Sequence, residues 1–155
     1  MSRRRILSLT CAALIAALMC AQSSEPWQPS DELQPAALAA QLNKSGAKPL
    51  LLYVGFPALF KGARIPGAVL AGPVGKPEGL ALLKQTVASV PKDRDIVLYC
   101  GCCPFTQCPN VRPAFKTLRE MGYTNVKLVV IPTNLATDWV AKGYPTEKAA
   151  NAPKF

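Results

Sequence analysis

The chain predicts an α/β domain with a mainly parallel central sheet and helices on both faces. Three observations carry this. Residues 50–54, 95–99 and 126–131 are short, nearly continuous apolar runs, the mark of strands buried on both faces rather than one. Segments of helical character lie between them, and strands alternating with helices build parallel sheets. Half of the 155 residues are apolar, enough for one core of ordinary size and hardly two.

Each element follows from local chemistry. Ser30, Asp31 and Glu32 predict the cap of a helix running to about Asn43, with Leu33, Ala37, Leu38 and Leu42 inward. Pro35 then has to sit in the first turn, where its missing N–H costs nothing. Lys44, Ser45 and Gly46 end the helix. The stretch 55–73 contains four Gly and three Pro and predicts a loop. Pro77 opens a helix over 77–90, with Leu80, Leu82, Leu83 and Val87 inward. The second apolar run leads directly into Cys100. Asn110 is expected to cap a helix over 111–121, with Val111, Phe115 and Leu118 on one face and Gly122 in the left-handed position beyond its end. Residues 134–142 predict a short helix ended by Gly143, and residues 144–155 a tail. The sequence has no internal repeat and no second domain.

Arg3, Arg4 and Arg5 precede an apolar run over 6–20 broken only by Ser8 and Thr10, and polar Gln22, Ser23 and Ser24 follow. This is the pattern of a secretory signal peptide over 1–23, cut after Ala21 or Ser23. It predicts an exported protein, periplasmic or secreted, with one domain over 24–155 and no stable membrane insertion after cleavage. As an anchor the run is short. As a lipoprotein signal, Ala17, Leu18 and Met19 before Cys20 are a poor match. The formal charge of +9 falls to +6 without the three leader arginines. The remaining basic groups are scattered and form no stripe interleaved with aromatics, which excludes nucleic acid as a partner. A mild positive field favours small anions.

The chain has no histidine. That excludes Ser-His-Asp and Cys-His catalysis and histidine-ligated zinc. Outside the leader, all four cysteines, Cys100, Cys102, Cys103 and Cys108, fall within nine residues. A structural disulfide framework spreads its cysteines to close long loops; this cluster does the opposite and marks a site. It joins the carboxyl end of a central strand to a helix N-terminus, the place where open α/β sheets bind ligands. The helix offers unpaired N–H groups and a positive dipole end, which favour a thiolate. Cys100 is thereby expected to be activated without an imidazole. Arg112, in the first turn of that helix, and Arg64 are anion-binding candidates. None of the four cysteines has Arg six residues on, which removes the arginine clamp a Cys-x5-Arg phosphatase needs.

At these residues the chain resembles the rhodanese-like domains. Trp27, the helix ending near Leu42, residues 50–54, 61–68 (KGARIPGA), 96–100, 118–126 (LREMGYTNV) and 138–145 (DWVAKGYP) follow that family's order over about 27–146. The resemblance implies sulfurtransferase chemistry, with Cys100 as the nucleophile that carries sulfur as a persulfide. The departures are equally specific. Gly55, Phe56 and Pro57 stand where the family has Asp-x-Arg. The histidine expected before Ile65 is absent. The cysteine loop is about four residues longer, which aligns Asn110 with the family's arginine and makes it an anion-binding candidate too. Thr133 and Asn134 replace a glycine pair. These departures count against ordinary thiosulfate activity.

Three readings of the cluster remain open. In the first, Cys100 takes sulfur from a small sulfur-containing anion, and Cys102, Cys103 or Cys108 resolves the persulfide or passes the sulfur to a thiol acceptor; no cofactor is needed. In the second, Cys100, Cys102, Cys103 and Cys108 are soft ligands for Cu(I) or zinc. Zinc prefers paired Cys-x2-Cys spacing, and adjacent Cys102 and Cys103 suit Cu(I) better. In the third, a Cys103–Cys108 or Cys102–Cys108 disulfide stiffens the loop of a non-catalytic binding domain. Trp27 and Trp139 are expected to pack, and Asp138 to cap a helix.

Overall fold

The computed structural model describes residues 25–148; the leader expected at 1–23 and the last residues of the tail lie outside the described residues. The elements are β1 (Glu32–Leu33), α1 (Pro35–Asn43), β2 (Leu50–Tyr53), α2 (Pro57–Gly62), β3 (Val69–Leu70), α3 (Pro77–Val87), β4 (Ile96–Tyr99), α4 (Val111–Glu120) and β5 (Val126–Val129). Short helical turns occupy Pro29–Asp31, Phe105–Gln107 and Ala136–Val140, the last of them π-helical. Among the described residues no helix is long and apolar enough to cross a membrane.

The five strands form one sheet in the order β1-β5-β4-β2-β3, every pair parallel. Successive side chains of a strand point to opposite faces, and both faces are covered. Leu52, Ile96, Leu98, Val126 and Leu128 pack under α3 and α4 with Leu83, Val87, Ala114, Phe115 and Leu118. Leu51, Val97, Tyr99 and Val129 pack on the other side with Leu38, Ile65 and Trp139. Leu38, Leu52, Leu83, Leu98 and Leu118 are fully buried, and burying each such side chain contributes roughly 1.5–3 kcal/mol. β4, the source of Cys100, lies at the centre of the sheet.

Several elements differ from expectation for identifiable reasons. The first helix starts at Pro35 rather than after Ser30. Glu32 and Leu33 are instead extended, in register with Leu128 and Val129; the sheet edge outcompetes the cap, and Pro35 opens the helix at its first position. The stretch 55–73 holds α2 and the edge strand β3, too short to show a hydrophobic period. The helix expected over 134–142 is a π-helical turn, its Asn134 side chain accepting from Thr137 N–H while Asp138 accepts from the N–H groups of Thr133 and Asn134. Gly122 takes the left-handed conformation expected of it, and Gly143 takes it too.

Candidate functional site

The cysteine loop leaves the carboxyl end of β4 and returns at the start of α4. Gly101 makes the reversal possible. Its φ is +78°, a conformation that L side chains rarely adopt, and a Cβ there would meet Leu135 Cβ at 2.8 Å. The reversal brings Cys102 Sγ to 3.1 Å from Cys100 Sγ. Cys103 Sγ follows at 3.5 Å from Cys102 Sγ, so the two adjacent side chains do not diverge. Cys100 and Cys108 are buried, Cys102 and Cys103 half-buried, and all four are free thiols. The loop is stitched to the segment after β5 by Leu135 N–H donating to the Gly101 carbonyl at 2.9 Å and Phe105 N–H to the Ile131 carbonyl at 3.1 Å. Trp27 covers its outer side, 5.7 Å from the rings of Phe105 and Phe115.

Asn110 occupies the position before α4, yet its side chain makes no capping hydrogen bond. Instead Gly75 N–H donates to its Oδ1 at 2.9 Å, which turns the Nδ2 donor toward Cys100 Sγ at 3.6 Å. The residue is 2% exposed, so this contact is desolvated. A polar side chain diverted from its local cap to a buried sulfur breaks the local rule where a site is built.

The helix N-terminus acts on a different thiol from the one expected. A hydrogen bond from Cys100, joined by the backbone N–H groups of Asn110 and Val111, holds the Cys108 thiol below the ordinary value. Cys100 is pushed up, because it donates to Cys108 and is buried. The pair therefore carries its first negative charge on Cys108. Burial beside Cys102 pushes Cys103 up to about 12.

The solved structures that resemble this chain share its fold. The rhodanese-like domain of the Alr3790 protein from Anabaena sp. superposes with a TM-score of 0.57 at 22% identity, over 81% of this chain and 89% of that one. The fold is rhodanese-like. The crystal structure of the BH2092 protein from Bacillus halodurans gives a TM-score of 0.59 at 18% identity, over 96% and 93%. An anaerobic ergothioneine biosynthesis enzyme from Chlorobium limicola, solved with its natural substrate trimethyl histidine, gives 0.56 at 21% identity; the match covers 77% of this chain and 28% of that one. At these identities the likeness is one of fold. No protein-family model and no curated protein matches the chain.

Within the rhodanese-like fold, Cys100, Cys102, Cys103, Cys108 and Asn110 come together. Arg112 and Arg64 do not join them. Arg112 pairs with Glu25 at 2.5 Å, bonds the Cys108 carbonyl at 3.3 Å and lies over the Trp27 ring. Arg64 pairs with Glu147 at 3.1 Å, within a two-residue antiparallel bridge to the same residue, and lies over Phe60. Both arginines bind segments near the limits of the described residues. Among the described residues no group of three or more Cys, Asp or Glu side chains is arranged to hold a metal ion. Trp139 is fully buried on the face away from the thiol cluster, its indole N–H on the Pro145 carbonyl at 2.8 Å; it packs, as expected. Two residues that sequence reasoning passed over also meet here. A Cβ on Gly55 would lie 2.5 Å from the Tyr53 hydroxyl and 3.0 Å from Cys100 Sγ. A glycine directly after a buried strand was the available signal, since it marks a close approach.

Proposed function

We propose that this protein transfers sulfane sulfur, with Cys100 as the first acceptor. The observation that carries the reading is the file of three sulfur atoms, 3.1 and 3.5 Å apart, running from buried Cys100 to half-buried Cys102 and Cys103. Cys108, its charge held by the amides at the start of α4, takes the Cys100 proton, the task an imidazole performs elsewhere. The Cys100 thiolate attacks the sulfane sulfur of a small anionic donor. The donor's S–S bond breaks, its remaining fragment leaves with the electron pair, and a Cys100 persulfide forms. The Cys102 thiolate then attacks the outer sulfur, Cys100 leaves as thiolate, and the sulfur moves one place toward the surface. A thiol acceptor removes it there by the same exchange. The leader pattern supports export, where such donors and thiols meet the protein outside the cytoplasm.

Intact-mass measurement of the anaerobically reduced chain after exposure to inorganic polysulfide or thiosulfate tests this. The wild type is expected to gain one sulfur and Cys100→Ser none. Equal loading of both proteins would remove Cys100 from the chemistry. The same 3.1 Å approach also supports a thiol-redox reading, in which the Cys100 and Cys102 thiols give two protons and two electrons to a disulfide or polysulfide substrate, whose S–S bond is reduced, and join to each other. That outcome shows itself as loss of two hydrogens without gain of sulfur.

A further inference from the structure

We propose that the Tyr53 hydroxyl is a sulfur-binding donor. With the Asn110 carboxamide it forms a two-donor cradle for the outer sulfur of a Cys100 persulfide. The inference rests on the sulfur-transfer reading and adds to it the group that holds the bound sulfur.

Tyr53 ends β2 in register with Tyr99 of β4. The two rings lie 5.2 Å apart on one face of the sheet, and Phe60 packs 5.3 Å from Tyr53. The hydroxyls differ in what they meet. Tyr99 Oη accepts the Ile65 N–H at 3.2 Å. Tyr53 is 1% exposed, and its hydroxyl finds no hydrogen-bond partner among the described residues. Buried polar groups are nearly always paired, and an orphan calls for a role.

The placement of this hydroxyl supplies one. It shares the space over Gly55 with Cys100 Sγ, both lying within 3.0 Å of where a Cβ would be. Burial and the nearby thiols, Cys100 first among them, push its pKa up, so it stays a proton donor throughout the range in which thiols react. A persulfide adds one charged sulfur beyond Cys100 Sγ. The donors available to it are neutral: Arg64 and Arg112 are engaged with Glu147 and Glu25, and Lys76 lies over the Phe56 ring. Asn110 already reaches Cys100 Sγ, and Tyr53 completes the pair from the opposite side of the strand end.

The experiment charges the reduced full-length chain with inorganic polysulfide, removes the reagent and follows added sulfur at Cys100 by mass over time and pH. Tyr53→Phe keeps the ring against Phe60 and Tyr99. A hydrogen bond to a charged acceptor is among the stronger ones, so its loss is expected to shorten persulfide retention about tenfold. A fluorinated tyrosine at position 53 keeps the shape and acidifies the phenol. It makes the phenol a stronger donor and is expected to lengthen persulfide retention at a given pH, which a purely structural ring would not do; it also decides the matter if Tyr53→Phe fails to fold. Retention in Tyr53→Phe equal to wild type, or unchanged retention in the fluorinated protein, overturns the role of Tyr53 alone. A wild type that takes up no sulfur at Cys100 overturns the sulfur-transfer reading and this inference with it.

Discussion

In the proposed chemistry, Cys108 and Cys100 divide between them the task of a nucleophile and its base. The hydrogen bond from Cys100, with the amides of Asn110 and Val111, holds the Cys108 thiol below its ordinary value, while that same bond and burial hold Cys100 above it. Thiolate content rises as pH rises through the lowered value, so alkylation of the loop is expected to begin at lower pH than for a free cysteine and to fall silent below that value. In Cys108→Ser the onset moves to higher pH, because the thiol that ionises first is gone; a maleimide or iodoacetamide rate profile reads this. Asn110→Ala leaves Cys100 without its carboxamide donor, and uptake of sulfur is expected to slow about tenfold. The sequence pointed to the cysteines through their clustering and the missing histidine, and to Asn110 through its alignment with the family's arginine. It could not reveal which thiol the helix faces. That depends on the extra loop length, which carries Cys108 rather than Cys100 to the amides.

At the scale of elements, the site depends on how α4 and β4 are seated. Phe115 is 1% exposed and packs its ring edge-on to Trp27 at 5.7 Å. Phe115→Ala removes contacts on both the core and the lid of the cysteine loop, and is expected to cost about 3–5 kcal/mol, read as a lowered denaturation midpoint. The three long strands and the helices that begin at Pro77 and Val111 were legible, because buried parallel strands are continuous apolar runs and proline at a first helical position is a clear signal. β1, β3 and α2 were not. Glu32–Leu33 and Val69–Leu70 are two-residue strands made by pairing with β5 and β2, and no local period announces a strand fixed only by its neighbour. Tyr53 read as one more apolar residue of its run; only the folded chain leaves its hydroxyl without a partner.

For the whole molecule, charge serves the closure of the domain more than the site. Arg112 and Arg64 hold segments at opposite ends of the described chain, through Glu25 and Glu147. The partners are a fifth to two-fifths exposed, and such pairs contribute at most about 1 kcal/mol each. Glu147→Gln is accordingly expected to lower the melting temperature by only a few degrees, and by less as salt is added. The proposed chemistry rests instead on the file of thiols at the carboxyl end of the central strand of this rhodanese-like fold, in a chain without histidine. The most direct test locates the sulfur. The reduced protein is exposed to inorganic polysulfide for increasing times, quenched, and the loop fragmented to find which cysteine carries the added atom. Sulfur on Cys100 at the earliest time, followed by Cys102, is the predicted result. Sulfur appearing first on half-buried Cys103 while Cys100 stays bare would contradict it.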